Sequence, residues 1–221
     1  MASVTIAALS RYSDLREKFV DGLKKVNPGI KADIKIHDTS GIKEEDFHAP
    51  KTWNKLLKSI DTPYTCMMND DVYPKSDYWL YQLLYWLEKL KMSSVGPFTN
   101  CERVFNKNAL NVLSPNMLFL SKDVPYTLQS LPWGCVVYRT EQFKSIGGWD
   151  ENFEFWYDDI DLSFRMEQFG PVGITYSAVA HHPDGSTWRR NEKLYDAKKA
   201  RGREYFISKW GYDMLPSEFK S

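Results

Sequence analysis

The apolar positions of this chain change period along its length. Val4-Thr5-Ile6-Ala7-Ala8-Leu9 is a nearly continuous apolar run, the pattern of a strand buried on both faces. Leu15, Phe19, Leu23 and Val26 then recur at three- and four-residue spacing, which predicts a helix capped by Ser13 and stopped by Pro28-Gly29. Residues 32–37 alternate and deliver Asp38-Thr39-Ser40-Gly41 to a loop. Residues 53–60 read as a short helix, and 64–68 as a buried strand that runs into Asn69-Asp70-Asp71. Across 76–91 a longer helix puts Trp79, Leu80, Leu83, Leu84, Leu87 and Leu90 on a core face. Tyr78, Tyr81 and Tyr85 line its other side, as ordinary surface or as a contact face for a second subunit.

Residues 94–97 form another short strand, and 98–132 lack sustained periodicity and read as a loop region. A strand follows over 134–139, then a helix capped by Thr140, carrying Phe143 and Ile146 and closed by Gly147. Leu162, Met166 and Phe169 define a further helix that begins at or near Asp158 and stops at Gly170. Residues 172–180 return to a strand that ends in His181-His182-Pro183-Asp184-Gly185-Ser186. This alternation of strand and helix predicts an α/β fold with a mainly parallel central sheet, in which ligands bind beyond the carboxyl ends of the strands. Asp38 and Asp71 fall at such ends. With no repeat or linker, residues 1–221 read as a single domain.

Composition narrows the chemistry. The 29 basic and 29 acidic residues balance, so nothing pulls the whole chain toward nucleic acid or anionic lipid. A local excess remains: Arg189, Arg190, Lys193, Lys198, Lys199, Arg201, Arg203 and Lys209 outnumber Glu192, Asp196 and Glu204. That stretch reads as a solvated helix face or as a surface for an anionic acceptor, nucleic acid included. The three cysteines contain no C-x-x-C pair, which suits a reducing compartment and a cytoplasmic location. The opening residues lack a cationic leader segment, and no apolar run approaches the roughly 20 residues that cross a bilayer.

Two acidic groups stand out. Asp158, Asp159 and Asp161 lie within four positions, and such crowding is relieved by a cation, a proton or a substrate. At a helix N-terminus, free N–H groups favour the ionised form, and a carboxylate held there can take a proton from a hydroxyl. The same residues also fit a plain acidic helix start with Asp161 and Arg165 paired at i, i+4. Asn69-Asp70-Asp71, on a turn after a buried strand, can hold a hard divalent cation through oxygen and leave positions open for phosphate. An imidazole from His181 or His182 would favour manganese over magnesium.

In their order along the chain these pieces resemble the nucleotide-sugar glycosyltransferases of the GT-A fold, in particular the rhamnosyltransferase-like group of family 2. Val4-Thr5-Ile6 is similar to the opening strand, and His37-Asp38-Thr39-Ser40 to the strand-end aspartate of that group. Asn54 stands where the group often has an Asn, and Asn69-Asp70-Asp71 resembles the D-x-D motif in its N-x-D form. Gly134 to Arg139 and Gly147-Gly148-Trp149-Asp150-Glu151 are similar to G-x-x-x-x-x-R … G-G-F-D-E. Asp158 to Arg165 resembles E-D-x-D-L-x-x-R, and His181 with Gly185-Ser186 resembles H-x-x-G-x-S. Tyr205-Phe206 and Lys209-Trp210-Gly211 are similar to the tail of several members.

The resemblance implies a Rossmann-like GT-A fold with a nucleotide-binding half at 1–97, an acceptor and catalytic half at 98–190, and a helical tail at 191–221. It implies a metal-dependent, inverting transfer of a hexose or pentose from a nucleotide sugar, UDP-linked in most of that group, to an acceptor hydroxyl. By the same likeness Asp71 and His181 would hold Mn2+ or Mg2+, and Asn69 and Asp70 would assist on the donor. Asp38 would bind the base or ribose, Arg189 and Arg190 would cover the diphosphate, and Asp159 beside Asp158 would be the general base. Departures are Asp158 for the usual Glu, Asn69 for the first Asp, and Ala7 to Tyr12 in place of P-x-Y-N. A modified DNA base as acceptor, and a scaffold that binds nucleotide or partner without catalysis, are the alternatives.

Overall fold

The apolar run at the N-terminus lies inside the sheet, with every residue of β1 (Val4–Ser10) buried. Val4, Ile6 and Ala8 join one core and Ala7 and Leu9 the other, so the strand is sandwiched as its composition requires. The structure is a computed structural model, which describes residues 3–99, 126–128, 134–183, 188–211 and 213. Beside β1 run β2 (Ala32–Asp38), β3 (Tyr64–Met68), β4 (Tyr73–Pro74), β5 (Ser94–Thr99), β6 (Tyr126–Leu128), β7 (Cys135–Arg139) and β8 (Val172–His181). The sheet order is β2-β1-β3-β7-β5-β8-β4, with β6 also against β8. β1, β2, β3, β5 and β8 share a direction and β4, β6 and β7 oppose it, giving a mixed, mainly parallel sheet.

Helices cover both faces. On one side α1 (Ser13–Lys24) and α3 (Trp79–Lys89) bury Phe19, Leu23, Trp79, Leu80 and Leu83 against β1, β3 and β5. On the other, α2 (Ala49–Lys58), α4 (Thr140–Ser145) and α5 (Asp158–Met166) contribute Trp53, Leu57, Phe143, Leu162 and Met166. Last comes α6 (Glu192–Trp210), whose Phe206 packs with Phe153, Tyr157 and Ile160 in a third, smaller core.

The structure corrects several local expectations. Ser13 and Thr140 are the first residues of their helices rather than caps; the flanking Tyr12 and Arg139 make no side-chain cap. The Thr140 hydroxyl instead pairs with that of Thr65 at 2.8 Å inside the protein. Helix α2 begins four residues before Trp53, because His48 accepts the Lys51 amide and Pro50 suits a first turn, a start that apolar spacing does not reveal. Within the region read as a loop, β5 extends to Thr99 and β6 pairs with the start of β8, while residues 100–125 and 129–133 lie outside the described part. Tyr78, Tyr81 and Tyr85 are exposed, and Tyr78 and Tyr81 pack over Gly29, so part of that stripe covers the turn after α1.

Helix α6 is tied down by charge as well as by rings. Lys209 Nζ lies 2.7 Å from both Asp150 and the fully buried Asp161. Asp161 also receives Arg165 Nε at 2.7 Å and the Trp210 indole N–H at 3.0 Å. The Asp161–Arg165 pair expected at i, i+4 is therefore present, inside a larger structural network. Burial works against ionisation of Asp150, but Lys209, the Asn152 amide and the Tyr205 hydroxyl outweigh it and hold the carboxyl down at about 2. A carboxyl depressed in the folded state adds stability above its unfolded value near 3.8, lost as pH falls toward 2. Urea midpoints compared at pH 5 and pH 2.5 should therefore fall less in Asp150→Asn than in the wild type; equal falls would refute the coupling.

Candidate functional site

The carboxyl ends of β1, β2, β3 and β8 place Ser10, Asp38, Asn69-Asp70-Asp71 and His181-His182 along one edge of the sheet. Helix α5 packs through Leu162 and Met166 into the core that also holds Val172 and Ile174 of β8, and it opens with Asp158 and Asp159.

Asp71 is 6% exposed, and its Oδ1 lies 3.3 Å from His182 Nε2. The imidazole that meets Asp71 is therefore that of His182; the ring of His181, one residue earlier and on the opposite side of the strand, lies alongside Tyr73. Gly134 makes room for this contact, because a Cβ there would come within 2.9 Å of His182 Nδ1. The backbone carbonyl of Gly134 accepts the Asn69 amide at 2.8 Å, which fixes the turn. Asp70 points elsewhere: its Oδ2 accepts the buried Ser10 hydroxyl at 2.8 Å. Burial pushes the Asp70 carboxyl up to about 6 despite that bond, and the charge of Asp71 adds to the rise.

Asp71 and His182 offer one oxygen and one nitrogen at the spacing of neighbouring ligands on a small divalent cation, about 3 Å for an octahedron with 2.1 Å bonds. Among the described residues no third His, Cys, Asp or Glu completes a cage, so the remaining positions would fall to substrate and water. That donor set fits a metal carrying an anionic substrate.

Asp38 is exposed, accepts the Ser40 amide at 2.9 Å and pairs with Arg16 at 2.8 Å, which together lower its carboxyl. Arg190, in a single 3-10 turn with Trp188 and Arg189, rests its guanidinium 3.9 Å from the centre of the Tyr12 ring and pairs with Asp14 at 3.0 Å. Its positive charge reaches Asp70. Tyr12, Asn191 and Tyr195 all converge on Glu44, joining the start of α6 to the loop after β2. None of this network was apparent from the sequence, because its members sit on four separate segments.

At the start of α5, Trp156 and Tyr157 both have φ of 63°, a left-handed conformation that costs a bulky residue on the order of 1–2 kcal/mol. Asp159 Oδ1 accepts the Ile160 amide at 2.9 Å. Asp158 is half-buried by surface area, yet protein crowds its carboxyl; that desolvation, with the charge of Asp159 next, pushes it up to about 7. Asn54 closes the other flank: its amide donates to Trp149 O at 2.8 Å and Glu151 at 3.0 Å and accepts the Trp149 amide at 2.8 Å.

Much of the basic stretch near the C-terminus is ion-paired. Arg190, Arg201, Arg203 and Lys209 pair with Asp14, Glu154, Asp213 and Asp150, and Lys198 is buried on the Phe47 carbonyl. Lys199 lies on the Trp156 ring. Arg189, Arg190, Lys193 and Arg201 are exposed to solvent. Gly185 and Ser186 lie outside the described residues, as does the Trp188 side chain.

No protein-family model matches the chain, and no curated protein does. Solved structures match in fold. The mannosyltransferase PcManGT from Pyrobaculum calidifontis, in complex with GDP-Man and Mn2+, is 10% identical with a TM-score of 0.64, over 98% of this chain and 66% of that one. S. aureus TarS 1-349 in complex with UDP-GlcNAc is 10% identical with a TM-score of 0.60, over 96% and 74%. GalNAc-T7 with UDP, GalNAc and Mn2+ is 9% identical with a TM-score of 0.61, over 83% of this chain but only 43% of the other. No transmembrane-length apolar helix is present among the described residues. The fold is the GT-A glycosyltransferase fold.

The Asn54 clamp yields a test. Gly148 has φ of 72°, and a Cβ there would sit 2.3 Å from Asn54 Oδ1. Gly148→Ala should cost roughly 3 kcal/mol in denaturant unfolding, the sum of left-handed strain and a broken buried bond. A loss below about 1 kcal/mol would show that the clamp is soft.

Proposed function

We propose that this protein transfers a sugar from a nucleotide sugar to an acceptor hydroxyl, with inversion, in a metal-dependent reaction. The observation that carries the reading is the Asp71–His182 pair at the end of β3. Asp71 and His182 would hold Mn2+ or Mg2+, which supplies positive charge for the departing diphosphate. This assigns the imidazole ligand to His182 in place of His181. Arg190, with Arg189 beside it, would leave Asp14 for the diphosphate, because an exposed ion pair contributes little. Asp38 would receive the ribose, its carboxylate exposed and its Arg16 partner similarly replaceable. Asn69 and Asp70 shape the turn beneath the donor, Asp70 through Ser10.

Asp159 would be the base. Its oxygen is held by a helix amide, which favours the ionised form, whereas Asp158 is raised and keeps its proton more readily. An ionised Asp159 takes the proton of the acceptor hydroxyl as that oxygen attacks the anomeric carbon, opposite the leaving diphosphate. UDP sugars, the donors of most of the resembling group, are the first candidates, and GDP sugars the second.

The test uses hydrolysis of UDP-N-acetylglucosamine and GDP-mannose with manganese, alongside calorimetric binding of UDP and GDP. Asp159→Asn should lower turnover by about 100-fold or more and leave nucleotide affinity unchanged. His182→Ala should weaken manganese-dependent nucleotide binding by about tenfold or more, and His181→Ala far less. Full turnover in Asp159→Asn would end the base assignment, and a larger loss in His181→Ala would end that of His182.

A further inference from the structure

The acidic start of α5 is built by the helix that follows it last. Lys199, Gly202, Arg203, Phe206, Lys209 and Trp210 recur at i, i+3, i+4, i+7, i+10 and i+11 and form one stripe of α6. Lys199 Nζ lies 3.8 Å from the centre of the Trp156 ring. A Cβ on Gly202 would come within 2.8 Å of the Phe155 carbonyl and 2.9 Å of the Trp156 carbonyl, so only glycine lets α6 approach this closely. Arg203 pairs with Asp213 at 2.8 Å, and Asp213 accepts the hydroxyl of the buried Tyr157 at 3.1 Å. The Phe206 ring lies 5.2 Å from that of Tyr157. One turn further, Lys209 and Trp210 end on Asp161.

Trp156 and Tyr157 both adopt φ of 63°, and an aromatic pair in that conformation persists only where its surroundings hold it. The residues that hold it come from α6 and the residue beyond it, more than forty positions away. We propose that Gly202 and the Arg203–Asp213–Tyr157 relay are positioning residues for the Asp158–Asp159 pair. They are distinct from the residues proposed to hold donor and metal; they fix the backbone of Tyr157, and with it the direction in which the next two carboxylates leave the chain. Asp161, locked to Lys209 and Arg165, anchors the following turn, so the two carboxylates are held from both sides. Helix α6 and Asp213 are on this view part of the site rather than an appendage. The catalytic consequence rests on the reading of Asp159 as base.

Tyr157→Phe keeps the ring and its packing and removes only the hydroxyl; Arg203→Lys retains the charge, and Gly202→Ala pushes α6 away. Three readouts separate the possibilities: manganese-dependent hydrolysis of UDP-N-acetylglucosamine and GDP-mannose, calorimetric binding of UDP and GDP, and 13C carboxyl resonances of Asp158 and Asp159. Tyr157→Phe should lower kcat on the order of tenfold and Gly202→Ala on the order of 100-fold, with donor KM and nucleotide affinity within about twofold of wild type. Arg203→Lys should recover most of the activity lost in Arg203→Ala. The Asp158 and Asp159 resonances should move in Tyr157→Phe while the unfolding midpoint of that variant stays near wild type. Unmoved resonances overturn the proposal, as does an unchanged kcat in Tyr157→Phe when Asp159→Asn abolishes turnover. If Asp159→Asn leaves turnover intact, the base reading fails by itself, and the carboxyl resonances alone decide whether the relay positions the pair.

Discussion

Like charge crowded into two short segments is the constraint around which this molecule is organised. Asp70 and Asp71 lie in one, Asp158, Asp159 and Asp161 in the other, and none can be buried ionised without a partner. Each is relieved differently. Asp161 is fully buried and neutralised by Lys209 and Arg165. Asp158 rises toward neutrality, and Asp159 is held by a helix amide. Asp70 takes the Ser10 hydroxyl and a raised carboxyl, and Asp71 takes an imidazole. Division of labour among identical side chains follows from their surroundings, not from their chemistry.

Much of the fold could be read from periodicity, and the reason is visible in which parts could not. β1, β3 and α1 carry strong apolar patterns because both their faces or one broad stripe are buried, and their bounds differ from expectation by only a few residues. Two-residue β4 carries no pattern at all, and the first turn of α2 is set by His48 and Pro50 rather than by apolar spacing. The strand-end positions were legible as residue types: Asp38, Asp71 and the histidine pair all sit where parallel strands stop. Phase was not legible. Whether His181 or His182 faces Asp71 depends on the register of β8 against β4, where one residue reverses every side chain. The pairing within the basic stretch was hidden for a related reason, since composition counts cations but not the carboxylates that fold back onto them.

Close approach at small residues is the means by which distant segments meet. Gly134 lets the His182 ring lie over the start of β7, so that a strand-end imidazole can turn toward a carboxylate from another strand. At Gly202 the same geometry brings helix backbone against the carbonyls that precede Asp158. In both places a methyl group would push a neighbouring segment away. That explains why glycines appear here within a strand start and a helix interior, where they otherwise weaken structure. It also makes the middle of α6 locally poor in helix propensity, a cost offset by ion pairs to Glu154, Asp213, Asp150 and Asp161 along the same helix. The last helix thus depends on the acidic segment it packs against as much as that segment depends on the helix.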